Sequence, residues 1–257
     1  METLLVERRE GVVTITLNRP DKKNAINDVM WNELIETFRT ISANTEEDRV
    51  VVITGAGGAF CSGADISGGA ARTEHGLVHM RHVADVCLAL HSVPQPVIAK
   101  VGGVAAGAGL NLALGCDLVV ASDEARFSEI FARRGLSVDF GGSWVLPRLV
   151  GMHKAKELVL LADIIDAKEA QDIGLVNRVV PAAQLDAFVD DWASRLASGP
   201  PIALSMSKRL LNQSSAVSLA QALEAEAQAQ NVNFNTADMT EAMTAFLEKR
   251  TPQFRGR

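Results

Sequence analysis

The amino-acid sequence predicts an α/β fold in which a mixed core is followed by a helical region. Short apolar runs that end at glycine alternate with segments whose apolar residues recur at the helical period, and the connections between them are short. Beyond residue 185 the helical period dominates. We therefore expect a core over residues 1–199 and a helical region over residues 200–257.

The first predicted elements are two strands, a helix and a third strand. "LLVER" (4–8) and "VVTITL" (12–17) have the composition of strands joined at Gly11, and "VVVITG" from Val50 is typical of a buried strand. The helix between them begins in "NAIND" (24–28). Its predicted apolar face consists of Val29, Met30, Leu34, Ile35, Phe38 and Ile41.

The middle of the chain repeats the order strand, helix, strand. "PVIAKVGGV" predicts a strand from Val97, "AAGAGLNLALG" a helix of small residues, "CDLVVAS" the next strand and "LVNRVV" (175–180) the last one. From Leu185 the apolar spacing is helical. Helices whose apolar stripes a compact core leaves uncovered usually pack on a neighbour, so we expect a homo-oligomer.

Composition excludes several classes of protein. The 31 acidic and 25 basic side chains give a net charge of -6 and form no basic cluster, so we expect no nucleic-acid partner. No uncharged run approaches the roughly 20 residues that span a bilayer, and the charged start differs from a signal peptide, so we expect no membrane association. The three cysteines lack a metal-ligand pattern, which favours a reducing compartment, the cytoplasm, and no structural zinc.

Few side chains are available for proton transfer. There is no tyrosine, so a proton shuttle must use a carboxylate, His, Cys, Lys or water. His75, His79 and His82 lie in "HGLVHMRH", and their spacing gives no metal triad. We expect them on the solvated face of a helix.

Two glycine-rich stretches follow predicted strands. "GAGGAFCSGADI" (55–66) lets the backbone turn tightly and approach a bound group, and "GGVAAGAGLNLALGCD" (102–117) fills the start of a helix with small residues. Taken singly, each fits a tight turn or close helix packing better than a ligand site. Neither has the spacing of a P-loop or of a dinucleotide fingerprint.

Seven phrases stand in a fixed order along the chain: "ITLNRPDKKNAIN", "VVVITGAGGAFCSGADI", "PVIAKVGGVAAGAG", "CDLVVASDEARFS", "GGSWVLPRLVG", "AKEAQDIGLVNRVV" and "AFLEKRTPQF". Their order and spacing resemble the crotonase superfamily, also called the enoyl-CoA hydratase/isomerase family, over nearly the whole chain. The resemblance implies a spiral of repeated ββα units, a C-terminal helical region that forms trimers, and assembly as a homotrimer or a dimer of trimers. It also implies acyl-CoA substrates.

The resemblance further implies an oxyanion hole in which two peptide N–H groups hold the thioester oxygen. The matching positions are Ala64 and Ala108, and the family's glycine at the second position is an alanine here. Two such donors aimed at a developing enolate typically stabilise it by several kcal/mol. The substrate contacts implied in addition are Ala25, Asp65, Ile66, Gly107, Asn111, Phe131, Phe246 and Lys249.

Some of these residues have a second explanation. Phe246 and Lys249 stand where the family meets coenzyme A bound at a neighbouring subunit, but Lys249 also fits a solvated helix end. Asp65 follows Ala64, and we expect it to serve loop geometry. Coenzyme A enters as part of the substrate, and we expect neither a separate cofactor nor a metal.

Two departures from the family pattern decide the chemistry. Hydratases of the family hold and activate water with two glutamates, and those positions are Asn111 and Phe131 here. An amide does not exchange a proton near pH 7, and a phenyl ring has no polar atom for water. Glu129, two residues from the second position, is kept as a minor candidate.

"GLSVDFGG" places the carboxylate of Asp139 among glycines and apolar residues. Enoyl-CoA and dienoyl-CoA isomerases and ring-opening isomerases of phenylacetyl-CoA breakdown have an aspartate in this arrangement. An apolar pocket raises the pKa of a carboxyl group towards neutrality and makes it a base that can move a proton between two carbons. As a motif alone, Asp before Gly also fits a turn cap.

The leading hypothesis is therefore a 3-enoyl-CoA to 2-enoyl-CoA isomerase with Asp139 as the base and Ala64 and Ala108 as oxyanion donors. One alternative is an enoyl-CoA hydratase that works through Glu129 or Asp139. Another is an aryl-CoA dehalogenase or hydrolase with Asp139 as the nucleophile. A CoA-ester binding protein with little catalysis is the alternative outside enzymes.

Overall fold

A computed structural model describes residues 1–67 and 75–257 of the chain. The strands in these ranges are Leu4–Arg9 (β1), Val12–Leu17 (β2), Val50–Gly55 (β3), Val97–Val101 (β4), Val104–Ala106 (β5), Leu118–Ser122 (β6), Arg126–Ser128 (β7), Ile165–Asp166 (β8) and Arg178–Val180 (β9). The helices are Asp28–Ala43 (α1), Gly76–His91 (α2), Ala108–Leu114 (α3), Gly142–Val150 (α4), Met152–Leu161 (α5), Ala167–Asp172 (α6), Leu185–Ala197 (α7), Pro201–Gln213 (α8), Leu219–Phe234 (α9) and Ala237–Glu248 (α10).

The main sheet has six strands in the order β1-β2-β3-β4-β6-β9. Strands β1 and β2 pair in antiparallel fashion, and all the other neighbours in this sheet are parallel. Parallel strands need a crossover that returns the chain to the same end of the sheet, and the helices provide it. The carboxyl ends of β3 and β4 therefore lie side by side, and each leads into one of the glycine-rich stretches.

Both faces of the central strands are covered, which explains their continuous apolar sequences. On one face the main core joins the sheet to α1, α2 and α3. On the other face α7 covers the sheet with Leu185, Val189 and Ala193, which pack on Val50 and Val52 of β3 and on neighbouring strands. A second, three-stranded sheet, β5-β7-β8, adjoins α3.

The predicted α/β fold is confirmed, with differences at some boundaries. The side chain of Asn27 caps α1 by accepting a hydrogen bond from the Met30 N–H at 3.0 Å. Val29 is exposed, and Trp31 is buried instead, because Val29 lies beside the stripe that faces the sheet. The last strand begins only at Arg178, since the N–H groups of Leu175 and Val176 donate to the Ala170 carbonyl oxygen of α6 and not to the sheet.

The C-terminal region is helical from α8 to α10. It is fixed to the core through Lys208, whose Nζ lies 2.7 Å from the carboxylate of Asp117 and 2.9 Å from the Gln95 carbonyl oxygen. Large apolar side chains such as Phe234 and Phe246 stay exposed on α9 and α10. In residues 1–67 and 75–257 no helix is long and apolar enough to cross a membrane. The division at residue 199 and the trimer remain predictions.

We expect Gly109→Ala to destabilise the fold, because α3 has no room for a side chain at this position. An added methyl group would lie 2.5 Å from the Cys61 carbonyl oxygen and 2.6 Å from the Cys61 Sγ. The expected loss in the free energy of unfolding is about 2 kcal/mol, measured by urea denaturation.

Gly76→Ala is the matched control, because a methyl group there meets no described atom within 4 Å. It should change the free energy of unfolding by less than about 0.5 kcal/mol. Equal denaturation midpoints for the two variants would contradict the close packing of α3.

Candidate active site

A buried asparagine shapes the first glycine-rich loop, which follows β3. Asn24 is fully buried, and its amide nitrogen donates to the carbonyl oxygens of Ala56 and Ala59, each at 2.8 Å. Its side-chain oxygen accepts from the Arg19 N–H at 2.9 Å. Because these bonds join a fully buried amide to two carbonyl groups of the loop, they hold the loop in one path. The sequence analysis did not identify Asn24.

An ion pair fixes the end of this loop. The Arg19 guanidinium donates to Asp65 at 2.9 Å and to the Ala25 carbonyl oxygen at 2.5 Å. Hydrogen bonds from Ser67, with a further contribution from Arg19, lower the pKa of Asp65 to about 2. Asp65 is therefore ionised at neutral pH and holds the backbone beside Ala64. The interpretation of Asp65 as a residue of loop geometry agrees with these contacts.

The second glycine-rich stretch places Ala108 at the first position of α3. Gly107, just before it, has a φ of 53°, which a residue with a Cβ rarely adopts. The two stretches touch: a methyl group at Gly63 would lie 2.9 Å from the Ala106 carbonyl oxygen and 3.7 Å from the Ala108 nitrogen. In the described residues, no acceptor takes the N–H of Ala64 or of Ala108.

The other predicted contact residues fall into two groups. Phe131 is buried, and its ring lies 3.7 Å from the position of a methyl group built on Gly107, next to Ala108. Ala25 is half-buried beside Arg19. By contrast, Ile66 is exposed, and so are Phe246 and Lys249 of the C-terminal region.

The side chain of Asn111 on α3 joins two other segments, through the carboxyl group of Glu129 and the main-chain carbonyl of Asp139. The Asn111 amide nitrogen donates to the Asp139 carbonyl oxygen at 2.9 Å and lies 3.5 Å from the Glu129 Oε2. Asn111 is fully buried, Glu129 is 1% exposed and the Asp139 side chain is half-buried. A methyl group at Gly142 would lie 2.4 Å from the Asn111 nitrogen, so only glycine permits this arrangement.

Burial determines the electrostatics of this cluster. Desolvation raises the pKa of Asp139 to about 6. Desolvation also raises the pKa of Glu129 to about 8; the Asn111 hydrogen bond lowers it, and the Asp139 charge raises it. No ion pair in the described residues includes either carboxyl group. The sequence shows Asp139 without a nearby charge, whereas the structure brings a second carboxyl group, that of Glu129, into its surroundings.

An apolar cavity of about 700 Å³ adjoins the turn that carries Asp139. Cys87, Phe140, Gly141 and Trp144 contribute to its wall. Phe140 and Gly141 of this wall follow Asp139 directly in the chain, so the surroundings of the turn are largely apolar.

Two further titratable side chains, His79 and Cys61, are buried near the site. His79 is 8% exposed, with its Nδ1 3.9 Å from the Asp28 Oδ1, so the expected solvated position is wrong for this histidine. It lies on the side of α2 that packs against α1. Burial raises the pKa of the Cys61 thiol to about 12, which makes it a poor nucleophile. Within the described ranges, no group of three or more His, Cys, Asp or Glu side chains could hold a metal ion.

Comparison with known proteins identifies the family. The family model described as enoyl-CoA hydratase/isomerase matches residues 7–257. A Rhodobacter capsulatus protein named probable enoyl-CoA hydratase is 41% identical over 99% of this chain and 98% of its own. The 1,2-epoxyphenylacetyl-CoA isomerase of Escherichia coli is 36% identical over the whole of both chains. The chain therefore belongs to the enoyl-CoA hydratase/isomerase family.

Solved structures agree with this assignment. The crystal structure of an enoyl-CoA hydratase from Bacillus anthracis matches with a TM-score of 0.95 at 34% identity, covering 99% of this chain and all of the other. The crotonase-like fold implied by the seven phrases is confirmed. The chain is an enzyme of a family that acts on acyl-CoA, and hydratase names predominate among its relatives.

We expect Glu129 to make the stability of the protein depend on pH. An unfolded chain ionises this group near its ordinary pKa of 4.5, whereas the folded chain keeps the proton up to about pH 8. Because the unfolded state binds fewer protons between these values, rising pH destabilises the fold there, by up to about 5 kcal/mol. Above the folded pKa this contribution is constant.

The test compares the native protein with Glu129→Gln by urea denaturation at several pH values and one protein concentration. The variant should lose less stability than the native chain as the pH rises from about 5 to about 8. Glu124→Gln, which changes an exposed carboxylate, should keep the native dependence. An unchanged slope in Glu129→Gln would contradict the raised pKa.

Proposed function

We propose that this enzyme is an enoyl-CoA isomerase that converts 3-enoyl-CoA to 2-enoyl-CoA. Asp139 removes a proton from C2, the N–H groups of Ala64 and Ala108 hold the thioester oxygen of the resulting enolate, and Asp139 returns the proton at C4. The double bond thus moves into conjugation with the thioester, and no atom is added or lost.

The observation that carries this proposal is the environment of Asp139. Its Oδ1 is buried without a hydrogen-bond partner in the described residues, and no cation pairs with it. Desolvation raises the pKa of Asp139 to about 6, so the group is mostly ionised at neutral pH and still basic enough to accept a proton. A turn cap would use this oxygen in a hydrogen bond to the backbone, which is not observed.

The paired loops support the second part of the proposal. The contact between Gly63 and the Ala106–Ala108 segment places two unused backbone donors on adjacent loops. Donors that are fixed by the fold before the substrate binds need no reorganisation when negative charge develops on the oxygen. Deprotonation next to a thioester requires stabilisation of this kind.

The residues at the two water-holding positions favour isomerisation over hydration. Phe131 is an apolar ring beside Ala108, and the Asn111 amide is already bonded to the Asp139 carbonyl. A site that excludes water protects the enolate from side reactions. The 1,2-epoxyphenylacetyl-CoA isomerase of Escherichia coli, at 36% identity, shows that isomerases occur among the relatives.

Hydration of 2-enoyl-CoA is the second candidate function, and Glu129 is the observation that favours it. Its carboxyl group lies 3.5 Å from Asn111, the residue at one of the family's glutamate positions. With a pKa of about 8 it would be a proton donor at neutral pH. Hydratase names among the relatives agree with this candidate.

The assembly and the coenzyme A contact are also proposals. The exposed apolar residues of α9 and α10, among them Phe246, support a trimer in which this region covers a neighbouring subunit. Lys249 follows Phe246 in a left-handed conformation that ends the helix. In this arrangement its ammonium group would meet the phosphates of coenzyme A.

We expect Asp139→Asn to abolish isomerisation, because the amide has nearly the same size but cannot accept a proton. The loss in kcat should be at least about 100-fold. The measurement is the increase in ultraviolet absorbance as 3-enoyl-CoA becomes conjugated, with hydration of 2-enoyl-CoA recorded in parallel.

The control for this prediction is Asp163→Asn, which alters an exposed aspartate that pairs with Arg133 at the surface. It should retain native rates. Rapid hydration together with a harmless Asp139→Asn change would refute the isomerase assignment and favour Glu129 as the catalytic group.

We expect Ala108→Pro to remove one oxyanion donor while the helix persists. Proline suits the first position of a helix, and the residue there has no intrahelical partner for its N–H. Loss of one donor should lower kcat by about 100-fold or more.

Ala108→Gly is the matched control, since it keeps the N–H, and its loss should be at least about tenfold smaller. Circular dichroism of both variants checks that α3 and the rest of the fold are retained. Similar rates for the two folded variants would contradict a role for this amide.

A further inference from the structure

The cluster formed by Asn111, Glu129 and Asp139 contains a second carboxyl group, that of Glu129, which the proposed isomerisation does not use. Glu129 is 1% exposed, and the Asn111 amide nitrogen is shared between the Glu129 Oε2 at 3.5 Å and the Asp139 carbonyl oxygen at 2.9 Å. This amide thus links Glu129 to the main chain of the Asp139 turn. A buried carboxyl group that is joined through one amide to the turn of the proposed base needs an explanation.

The acceptors in this cluster outnumber the donors. Asn111 Oδ1, Glu129 Oε1 and Asp139 Oδ1 are all buried without a hydrogen-bond partner in the described residues. If Glu129 is ionised, the cluster holds two negative charges and one amide donor. If Glu129 carries a proton, one of its oxygens becomes a donor, and the cluster holds one negative charge and one acceptor fewer. Buried acceptors without donors are costly, so the geometry favours the protonated state.

The surrounding charges do not compensate an ionised Glu129. On α2, Cys87 is the titratable group that responds to the Asp139 charge, and its own pKa is raised, chiefly by burial. The arginines on neighbouring elements are exposed or already engaged. Arg126 donates to main-chain oxygens, and Arg133 pairs with Asp163. Arg134 is exposed, and Arg148 lies over the Trp144 ring. No described cation therefore pairs with Glu129.

We propose that Glu129 is a positioning residue that must stay protonated, so that the active form of the enzyme contains ionised Asp139 beside neutral Glu129. This inference rests on the proposed isomerase function. Glu129 exchanges no proton with the substrate: Asp139 takes the C2 proton and returns it at C4. Ionisation of Glu129 would add a second buried negative charge next to the site where the enolate charge develops, and would thereby raise the barrier.

The order of ionisation agrees with this model. Burial raises the pKa of Asp139 to about 6 and that of Glu129 to about 8, so Asp139 loses its proton first. Both values belong to one interacting pair, and the rate reports the population of its singly ionised form. That population rises as Asp139 ionises and falls as Glu129 ionises.

The experiment measures kcat for 3-enoyl-CoA isomerisation as a function of pH in the native protein and in Glu129→Gln. The native profile should be bell-shaped, and about one pH unit above the Glu129 pKa it should fall to about a tenth of its maximum. Glu129→Gln should keep the acid limb and lose the alkaline limb, because glutamine cannot ionise. Glu124→Gln, an exposed control, should keep both limbs.

An alkaline limb that persists in folded Glu129→Gln, or a native profile without one, overturns the inference. The isomerase proposal is tested separately. It fails if Asp139→Asn still isomerises 3-enoyl-CoA, and this outcome does not depend on Glu129. Should Glu129→Gln not fold, infrared difference spectra of the native protein between about pH 6.5 and about pH 9.5 provide the test. The carbonyl band of a protonated carboxylic acid must disappear over this range, and its absence at the lower pH overturns the inference.

Discussion

The close packing of α3 is the constraint on which the rest of the site depends. This helix has seven residues, all of them buried, and its neighbours approach so closely that Gly109 and Gly142 leave no space for a methyl group. Cys61 of the first loop contacts one side, and the turn after Asp139 contacts the other. One rigid helix therefore fixes the Ala108 amide and the Asn111 side chain relative to the carboxyl groups, as a preorganised site requires.

Desolvation, rather than ion pairing, sets the chemistry of the carboxyl groups. Asp65 has partners in Ser67 and Arg19, and its pKa is lowered to about 2, so it stays a fixed charge. Within the described part of the chain, Asp139 has no such partner on its carboxylate and Glu129 has only the Asn111 amide at 3.5 Å, so burial raises the pKa of each. The same type of side chain thus stays a fixed charge in one place and has a pKa near neutrality in another, because its surroundings differ.

The family shows the general reaction class, but the site decides the reaction. Relatives with 36% identity include an isomerase and a hydratase, so identity at this level does not separate them. The proposed isomerase assignment therefore rests on the site. Asn111 is engaged with the Asp139 turn, and Phe131 is an apolar ring close to Gly107.

The sequence by itself determined the order of the elements, the two glycine-rich loops and Asp139, because these features follow from patterns within short segments. Apolar period and turn residues act locally, and "GLSVDFGG" shows its lone carboxylate directly. Tertiary structure decided the rest. Asn111 is 18 residues from Glu129 and 28 residues from Asp139 along the chain. Only the packing around α3 brings the three residues together. Burial raises the pKa of Glu129, and His79 is buried rather than solvated. The burial of both side chains is likewise a property of the assembled core and not of any single segment.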